Sequence, residues 1–355
     1  MKIVHVNPYF YPFRGGIEHR IHHVCRLLGQ EHEVIIVTGQ LPGTELREDA
    51  DGYRIIRLPS RLIGSYNPPY ISSKGLLSTL NELDADVVEF HYRWAPSYTR
   101  DMTRYEGVKV FTWHNSFGEG EGFFQKAASG FNDRRFLPKL SAFDAVTCIS
   151  DYVRGELTAR NVPAEKMYTI GPGIAMPEQA GGTEGDYILY VGRLVRTKGL
   201  DYLMSAMRST DAHLIVCGKG PESKRLESMV ASYGIGDRVE FRGYVSEEER
   251  DRLIDECQAC VMPSLYESFG LVALEVMSHG RPVIGSAVGG LPEVIRDAGV
   301  LVPPRDPQAL SEAIDALLKD DARRRELGIK ARKYAQGNSW ESMAERTAAQ
   351  YQALI

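Results

Sequence analysis

The chain has 355 residues, 43% of them hydrophobic and 25% charged, a length that favours two domains with sizeable cores. Its net charge of -5 gives no electrostatic basis for binding nucleic acid, and no apolar run approaches the ~20 residues of a membrane-spanning helix. The first apolar run is broken by His5, Asn7 and Pro8, unlike a signal peptide. Five cysteines, an odd number, are typical of reduced thiols, so we expect a cytoplasmic protein.

Short apolar strands alternate with amphipathic helices along the whole chain. In the first half the predicted strands are 2–6, 33–38, 53–58, 87–91, 109–114 and 145–149. In the second half they are 187–191, 213–217, 239–242, 259–262, 282–284 and 300–302. Strands this apolar, separated by helices, predict parallel sheets covered on both faces. The expected fold is therefore α/β, with two Rossmann-like doubly wound domains.

A stretch rich in turn formers, residues 171–185, is the predicted linker between the domains. We place the first domain at 1–172 and the second at 173–338. The last helix, 339–355, follows a Gly337-Asn338 break and is expected to pack back onto the first domain. Two such domains facing each other across a cleft would present the carboxyl ends of both sheets to a ligand.

In the first half, two features stand at predicted strand ends. Gly15-Gly16 follows the first strand and favours close approach of the backbone to a ligand, although paired glycines also mark ordinary turns. Glu18, at the start of the next helix, is expected mainly to interact with the helix dipole. His114 ends an apolar strand, where it faces either the cleft or the protein interior.

In the second half, Arg193 and Lys198 lie on a loop flanked by Gly192 and Gly199. Two cations on such a loop suit a pyrophosphate, and the alternative is a pair of solvated surface cations. Another loop, at Gly218, resembles a short phosphate or base loop but lacks the third glycine of a dinucleotide fingerprint.

Two glutamates bracket a predicted helix start. Glu267 lies on a loop after a strand, and Glu275 lies in the helix that begins near Leu271. The amides of Phe269, Gly270 and Leu271 form a helix N-terminus, which binds anions. Because a carboxylate beside a phosphate would be repelled, we expect Glu275 to accept hydrogen bonds from hydroxyls next to it, such as those of a ribose. Glu267 is then expected to face the other end of a nucleotide-linked ligand.

Two segments make an anionic membrane surface a further candidate partner. Residues 52–81 contain four basic and no acidic side chains, and 117–140 contain five phenylalanines among basic residues. The alternative for 117–140 is a helix packed on its own domain. The two Asp-Ala-Asp triplets, at 49–51 and 84–86, precede strand starts and are not expected to bind a metal. The lone Cys257/Cys260 pair is expected to pack as small apolar residues.

Several of these motifs together resemble the family 4 retaining glycosyltransferases of GT-B fold. The similarity covers nearly the whole chain and is most specific in the second half. One departure is Pro172-Gly173-Ile174-Ala175 at the hinge, where the family usually has a sequence like Asn-Gly-Val-Asp. The motifs that carry the resemblance are Gly15-Gly16-Ile17-Glu18, Gly192-Arg193-Leu194, Lys198-Gly199, Glu267 to Glu275, Gly289-Gly290-Leu291-Pro292-Glu293, Gly299 to Pro303 and Ser339-Trp340.

The resemblance implies a nucleotide-sugar donor held mostly by the second domain. Arg193 and Lys198 would hold the diphosphate, Glu275 the ribose, and Glu267 the transferred sugar. The amides near Phe269, Gly270 and Leu271 would contact sugar and phosphate. Gly218, Gly243 and Tyr244 would line the base. From the first domain, Gly16, with Gly15 beside it, would approach the diphosphate, and His114 would contact the sugar near the reacting centre.

The implied reaction transfers a hexose with retention to a hydroxyl acceptor, which is a glycan, a lipid-linked glycan or a small molecule, and needs no metal or other cofactor. Two alternatives stay open: a nucleotide-sugar epimerase of similar fold and a non-catalytic nucleotide-sugar binder. An epimerase would change the sugar with no acceptor present, whereas a binder would hold the donor without turnover. Neither the base, the sugar nor the acceptor follows from the sequence.

Overall fold

A computed structural model describes residues 1–63, 70–117, 123–178 and 184–355, without the side chains of 123–126. The chain divides into two compact units. Unit 1 comprises Met1–Gly173 and Trp340–Ile355, and unit 2 comprises Ile174–Ser339. These divisions lie one residue from the boundaries drawn on the sequence.

The described part of unit 1 contains a sheet of eight strands in the order β10-β9-β8-β7-β1-β2-β4-β3. Its pairs are parallel except β3 with β4 at the edge. A separate antiparallel pair joins β5 to β6. Four strands were not predicted, β3, β5, β6 and β10, all short. The strands are β1 (Lys2–Val6), β2 (Glu33–Gly39), β3 (Arg47–Ala50), β4 (Tyr53–Leu58), β5 (Ser60–Ile63), β6 (Tyr70–Ser73), β7 (Val87–Phe90), β8 (Lys109–Trp113), β9 (Ala145–Cys148) and β10 (Met167–Thr169).

Helices pack in unit 1 through buried side chains, and the first helix shows an apolar stripe. In the first helix, Ile21, Val24 and Leu28 recur at helical spacing and are buried with sheet residues. The helices are α1 (Gly16–Leu28), α2 (Leu76–Leu83), α3 (Pro96–Arg104), α4 (Phe123–Phe136) and α5 (Asp151–Thr158).

Unit 2 contains, among its described residues, a sheet of six parallel strands in the order β13-β12-β11-β14-β15-β16. The parallel α/β prediction is thus confirmed for both units. The strand order reverses beside β11, which places a topological switch point at its carboxyl end. The strands are β11 (Tyr187–Val191), β12 (His213–Cys217), β13 (Val239–Gly243), β14 (Ala259–Met262), β15 (Val283–Ser286) and β16 (Val300–Val302).

The core of unit 2 lies between its sheet and the surrounding helices, and includes Ile188, Leu203, Val216 and Ile314. Helix starts after the strands lie at the carboxyl edge of the sheet, which is where loops can bind a ligand. The helices are α6 (Leu200–Ala206), α7 (Ser223–Tyr233), α8 (Glu247–Glu256), α9 (Leu271–Ser278), α10 (Leu291–Ile295), α11 (Pro307–Leu318) and α12 (Asp321–Gln336).

The last helix, α13 (Trp340–Gln352), belongs to unit 1. Trp340 stacks on His23 of α1 with ring centroids 4.5 Å apart, and a Cβ on Gly173 would lie only 2.6 Å from the indole. Tyr351 is fully buried. The C-terminal helix therefore completes the core of a unit formed mainly by the first half of the chain.

No helix in the described residues is both long and apolar enough to cross a membrane. The predicted linker is described only at 171–178 and 184–185, and its remaining residues lie outside the description.

Candidate functional site

Three neighbouring strands of unit 2 end in glycine loops that touch one another. Gly192, Gly218 and Gly243 have φ of 154°, 144° and 66°, values that side chains disfavour. The Gly218 amide donates to the Gly243 carbonyl at 2.7 Å. A Cβ on Gly218 would lie 1.8 Å from the Gly192 carbonyl oxygen, so glycine is needed for the loops to pack side by side.

These loops border a cavity of about 340 Å³. Its lining includes Arg193, Gly218, Lys219, Tyr244 and Arg250. Arg193 is exposed, and the Tyr244 side chain is 76% exposed although it is a large aromatic ring. Three of the residues predicted to bind the nucleotide-sugar donor therefore line one cavity: Arg193, Gly218 and Tyr244. The carbonyl of a fourth, Gly243, accepts a hydrogen bond from the Gly218 amide. A flat ring beside cations suits a ligand with both an aromatic and an anionic part.

Lys198 and Glu267 form the central charged pair of unit 2. Lys198 Nζ donates to Glu267 Oε2 at 2.5 Å, and both side chains are partly exposed. The two loops are held together by the Leu265 amide, which donates to the Thr197 carbonyl at 2.8 Å. A Cβ on Gly199 would lie 2.1 Å from the Pro263 carbonyl oxygen, which explains the glycine after the lysine.

Glu267 lies just before the start of α9, as predicted. Gly270 precedes the helix with φ of 107°, and the amides of the first turn have no partners within the helix. The Gly290 amide donates to the Glu267 carbonyl at 3.0 Å, and a Cβ on Gly289 would lie 1.7 Å from that oxygen. The Gly289-Gly290 loop thus fixes the backbone beside the helix start, and Lys198 adds a positive charge there.

Glu275, one turn into α9, is partly buried in an environment that changes its ionisation. Burial raises the pKa of its carboxyl group, and the Arg250 guanidinium acts in the opposite direction. Arg250 also lines the cavity. Sequence reasoning did not single out Arg250, because it is one of many charged residues on α8 and nothing in its neighbours marks it.

In unit 1, Gly15 and Gly16 form the start of α1. A Cβ on Gly15 would lie 2.4 Å from Glu18 Oε2, while one on Gly16 would meet nothing within 4 Å. Glu18 lies in the first turn, as expected of a residue that interacts with the helix dipole, and its buried carboxylate accepts from Asn7 Nδ2 at 2.8 Å. None of the described residues crowds Gly16, which leaves room for a ligand, and close approach of a ligand there stays a prediction.

His114 follows the carboxyl end of β8 and contacts a network of buried polar groups. Its Nε2 lies 3.0 Å from His91 Nδ1, and His91 Nε2 lies 2.9 Å from His5 Nδ1. Glu89 accepts hydrogen bonds from the hydroxyls of Thr112 and Tyr351. These residues come from β1, β7, β8 and α13, or directly follow them.

Burial keeps the imidazoles of this network neutral near neutral pH. It lowers the pKa of His114 well below the usual value, and it lowers the pKa of His91 to about 3. Burial acts to raise the pKa of Glu89, but His91 and His5 when protonated, together with Arg20 and the Thr112 hydroxyl, outweigh it and bring that pKa to about 2. Glu89 is therefore a buried carboxylate whose charge is balanced mainly by the buried guanidinium of Arg20.

Sequence reasoning missed Glu89, His91 and His5. One signal was available, because Glu89 is an acid inside an otherwise apolar strand, and such acids are rarely buried without partners. The ligand-type atoms of these three residues lie within 4.8 Å of one another, a spacing compatible with a metal ion. However, the carboxylate oxygens already accept hydrogen bonds from two hydroxyls, and Arg20 adds a positive charge nearby. We therefore interpret the cluster as a hydrogen-bond network and not as a metal site.

In the two segments considered as membrane-binding surfaces, some of the side chains make contacts within the protein instead. In 52–81, Arg57 pairs with Glu48 at 2.7 Å and Arg54 with Asp49 at 3.6 Å, while Arg61 and Lys74 are exposed. Residues 64–69 lie outside the description.

In 117–140, residues 118–122 and the side chains of 123–126 lie outside the description, so Phe123 and Phe124 cannot be placed. Of the described aromatic residues, Phe136 is buried and Phe131 is exposed. Buried Asp133 of α4 pairs with Arg93. The described part of this segment therefore packs largely on its own unit.

Comparison with known proteins matches each half of the chain to a glycosyltransferase family model. Residues 14–176 match the model of Glycosyltransferase Family 4, and residues 176–334 match the model of Glycosyl transferases group 1. An uncharacterized glycosyltransferase of Methanocaldococcus jannaschii is 36% identical over 175 residues, which make up 47% of this chain and 45% of that protein. Several further relatives are likewise matched over about half of their length.

Two similarities extend over nearly the whole chain. A GDP-mannose-dependent alpha-(1-6)-phosphatidylinositol monomannoside mannosyltransferase of Mycolicibacterium smegmatis is 25% identical, covering 96% of this chain and 95% of that protein. The solved structure of sucrose-phosphate synthase from Thermosynechococcus elongatus has a TM-score of 0.81 at 26% identity, covering 99% and 98% of the two chains. Together the two family models span residues 14–334, and the chain belongs to the family 4 glycosyltransferases of GT-B fold.

Proposed function

We propose that the protein is a retaining glycosyltransferase that moves a hexose from a nucleoside-diphosphate sugar to a hydroxyl acceptor, giving an α-glycoside. The observation that carries this proposal is the Lys198–Glu267 pair near the start of α9, in the unit that also contains a cavity lined by Arg193 and Tyr244. A cation at a helix N-terminus binds phosphate, and a carboxylate next to it can accept sugar hydroxyls.

In this proposal each group of unit 2 has one part of the donor to hold. Tyr244 and the loops at Gly218 and Gly243 border the base, and Glu275 accepts the ribose hydroxyls. Arg193, Lys198 and the amides of Phe269, Gly270 and Leu271 bind the diphosphate, while Glu267 contacts the sugar. From unit 1, His114 contacts the sugar, and Gly16 admits the diphosphate.

The proposed reaction needs no metal ion, because cations and helix amides stabilise the leaving group. The bond between the anomeric carbon and the diphosphate oxygen breaks, and the diphosphate leaves with the electron pair. The acceptor oxygen bonds to the anomeric carbon on the same face, and its proton passes to the leaving diphosphate. Fixed positive groups at the site of developing charge typically contribute about 10²–10³-fold each.

The test is a panel of UDP-, GDP- and ADP-sugars, in which transfer and donor hydrolysis are followed with EDTA present. Lys198→Ala is expected to lose roughly 100-fold or more of turnover while remaining folded. Arg196→Ala is the matched control, because Arg196 lies on the same turn but is 83% exposed and pairs with Glu222 instead. Equal activity of the wild type and Lys198→Ala would contradict the proposal, as would turnover abolished by EDTA for its metal-free part.

The same panel separates the two alternatives. An epimerase would convert the donor sugar with no acceptor present, and a binding protein would show tight donor binding with no transfer to any acceptor. The comparisons lend no support to an epimerase, since the matched family models are those of glycosyltransferases.

We further propose that the enzyme works in the cytoplasm with contact to the membrane face, on a glycan, a lipid-linked or a small-molecule acceptor. All five cysteines lie in the described part of the chain and are free and buried, which suits a reducing compartment. Exposed Ile63 beside Arg61, and exposed Phe131 near Arg134, offer apolar and basic contacts. Sedimentation with anionic liposomes at low salt tests this, and absence of binding would favour a soluble acceptor.

A further inference from the structure

The buried network under His114 determines which of its ring nitrogens carries the proton. His114, His91 and His5 are linked in series by two nitrogen–nitrogen contacts of 3.0 and 2.9 Å. A neutral imidazole has one N–H donor and one bare acceptor nitrogen. In each contact one ring must donate and the other accept, so the three neutral rings have only two consistent arrangements.

In the first arrangement His5 Nδ1–H donates to His91 Nε2, and His91 Nδ1–H donates to His114 Nε2. The remaining proton of His114 is then on Nδ1, and His5 Nε2 is a bare nitrogen. In the second arrangement every direction is reversed. His114 donates through Nε2, and His5 Nε2 carries a proton.

The position of the Glu89 carboxylate selects the first arrangement. The Glu89 carboxylate lies 3.6 Å from His5 Nδ1 and 3.7 Å from His91 Nδ1, so its negative charge favours protons on those two atoms. His5 Nε2 is buried with no hydrogen-bond partner among the described residues. This nitrogen lacks a partner in both arrangements, as an unpaired acceptor in the first and an unpaired donor in the second, so the Glu89 charge decides between them.

We propose that Glu89 and His91 are positioning residues that hold His114 as the neutral Nδ1–H tautomer, so that it acts as a hydrogen-bond donor to its ligand and not as a base. Within the described part of the chain, His114 Nδ1 has no hydrogen-bond partner. If the proposed function is correct, on which this step rests, the acceptor of that hydrogen bond is an oxygen of the transferred sugar.

The network extends the role of the C-terminal helix. Tyr351 of α13 donates to one oxygen of Glu89, and Thr112 donates to the other. These hydroxyls hold the carboxylate near the Nδ1 atoms of His5 and His91. The last turn of α13 therefore supports the orientation of the His114 ring, although Tyr351 has no contact with His114 among those described.

The pKa shifts agree with this geometry. Burial lowers the pKa of His5, His91 and His114, so all three rings are neutral near pH 7, as the series of contacts requires. The same burial disfavours a role for His114 as a general base, because a base needs a pKa near the working pH.

Two-bond ¹H–¹⁵N NMR of ¹⁵N-histidine-labelled protein tests the tautomer directly, with the His114 signal assigned by its loss in His114→Gln. The wild type is expected to show the Nδ1–H form. His91→Asn places an amide donor where Nδ1 was and is expected to keep that form. His91→Leu removes the donor and Glu89→Gln removes the charge, so both are expected to populate the Nε2–H form.

The turnover rate is the second measurement. His91→Leu is expected to lower kcat about 10- to 100-fold with little change in donor KM, the range found for partners that orient functional histidines at metal sites. His91→Asn is expected to restore most of kcat. An Nε2–H form of His114 in the wild type would overturn the inference, and so would an unchanged tautomer in both His91→Leu and Glu89→Gln. The NMR measurement does not require a nucleotide sugar. Absence of transfer by the wild type would therefore refute the proposed function without affecting the tautomer assignment.

Discussion

The two units place polar groups at the carboxyl ends of parallel strands, but they treat those groups in opposite ways. In unit 2, Arg193 and Tyr244 are exposed on glycine loops, and Lys198 and Glu267 are partly exposed. In unit 1, His91 and Glu89 are buried. His91 is hydrogen-bonded to neighbouring imidazoles, and Glu89 accepts from neighbouring hydroxyls. Unit 2 thus has a surface that a charged ligand can enter, whereas unit 1 fixes the orientation of one imidazole. Substitutions should therefore alter ligand binding in unit 2 and stability in unit 1.

The largest stability effect is expected at Trp340, which joins α13 to unit 1. Trp340→Ala should lower the free energy of unfolding by about 3–5 kcal/mol, because it removes a buried aromatic side chain. Urea unfolding measured by circular dichroism checks this, with Glu345→Ala, an exposed position on the same helix, as the control. A loss below about 1 kcal/mol would show that α13 is not part of the core of unit 1.

The second-largest effect on stability is expected from acid, which should destabilise unit 1. Burial lowers the pKa of His91 to about 3, and that of Glu89 is about 2. Both groups bind fewer protons in the folded than in the unfolded chain, so stability present at pH 7 is lost as pH falls. The His91 part is lost from about 6.5 towards 3, and the Glu89 part from about 4.5 towards 2.

Tryptophan fluorescence isolates this effect, because Trp94, Trp113 and Trp340 all lie in unit 1. The urea midpoint followed by fluorescence should fall between pH 7 and pH 4.5. The drop should be smaller in a folded His91→Asn variant, which cannot gain a proton at this position. A midpoint independent of pH would contradict the account of the buried network.

A binding effect of intermediate size is expected in unit 2. Glu275→Gln should weaken donor binding about tenfold or more, since hydrogen bonds to charged groups contribute about 1.5–3 kcal/mol. The thermal stability of the unliganded protein should not fall, because burial disfavours the charged carboxylate. Calorimetric titration with the donor measures the affinity, and Glu248→Gln, an exposed acid on α8, is the control. Unchanged affinity would show that Glu275 does not bind the ribose.

An effect of similar size, but on stability, is expected at Tyr351. Tyr351→Phe keeps the ring and removes the hydroxyl that donates to Glu89, so we expect a loss of about 1–3 kcal/mol in unfolding free energy. A double-mutant cycle with Glu89→Gln should give a coupling energy of at least about 0.5 kcal/mol. Additive effects of the two substitutions would show that this hydroxyl does not support the carboxylate.

The same contrast explains what could be predicted from the sequence. Strand–glycine–helix patterns predicted the parallel sheets and the loops at Gly192, Gly218 and Gly270, because such loops depend on local backbone geometry. Lys198 and Glu267 were both predicted on loops of the second domain, but their direct contact was not. The network around His91 depends on residues from β1 to α13 that meet only after folding, so local patterns could not predict it. Strand β3 was missed because its Arg-Glu-Asp-Ala sequence is that of a polar edge.

The most direct test of the central claim uses α-linked nucleoside-diphosphate sugars labelled with ¹³C at the anomeric carbon, mixed with the protein and a panel of hydroxyl acceptors. NMR follows the label over time. We expect an α-linked product to form together with an equal amount of free nucleoside diphosphate, with Arg196→Ala active and Lys198→Ala inactive. A β-linked product would contradict retention, and a sugar epimerised on its nucleotide without an acceptor would contradict transfer itself.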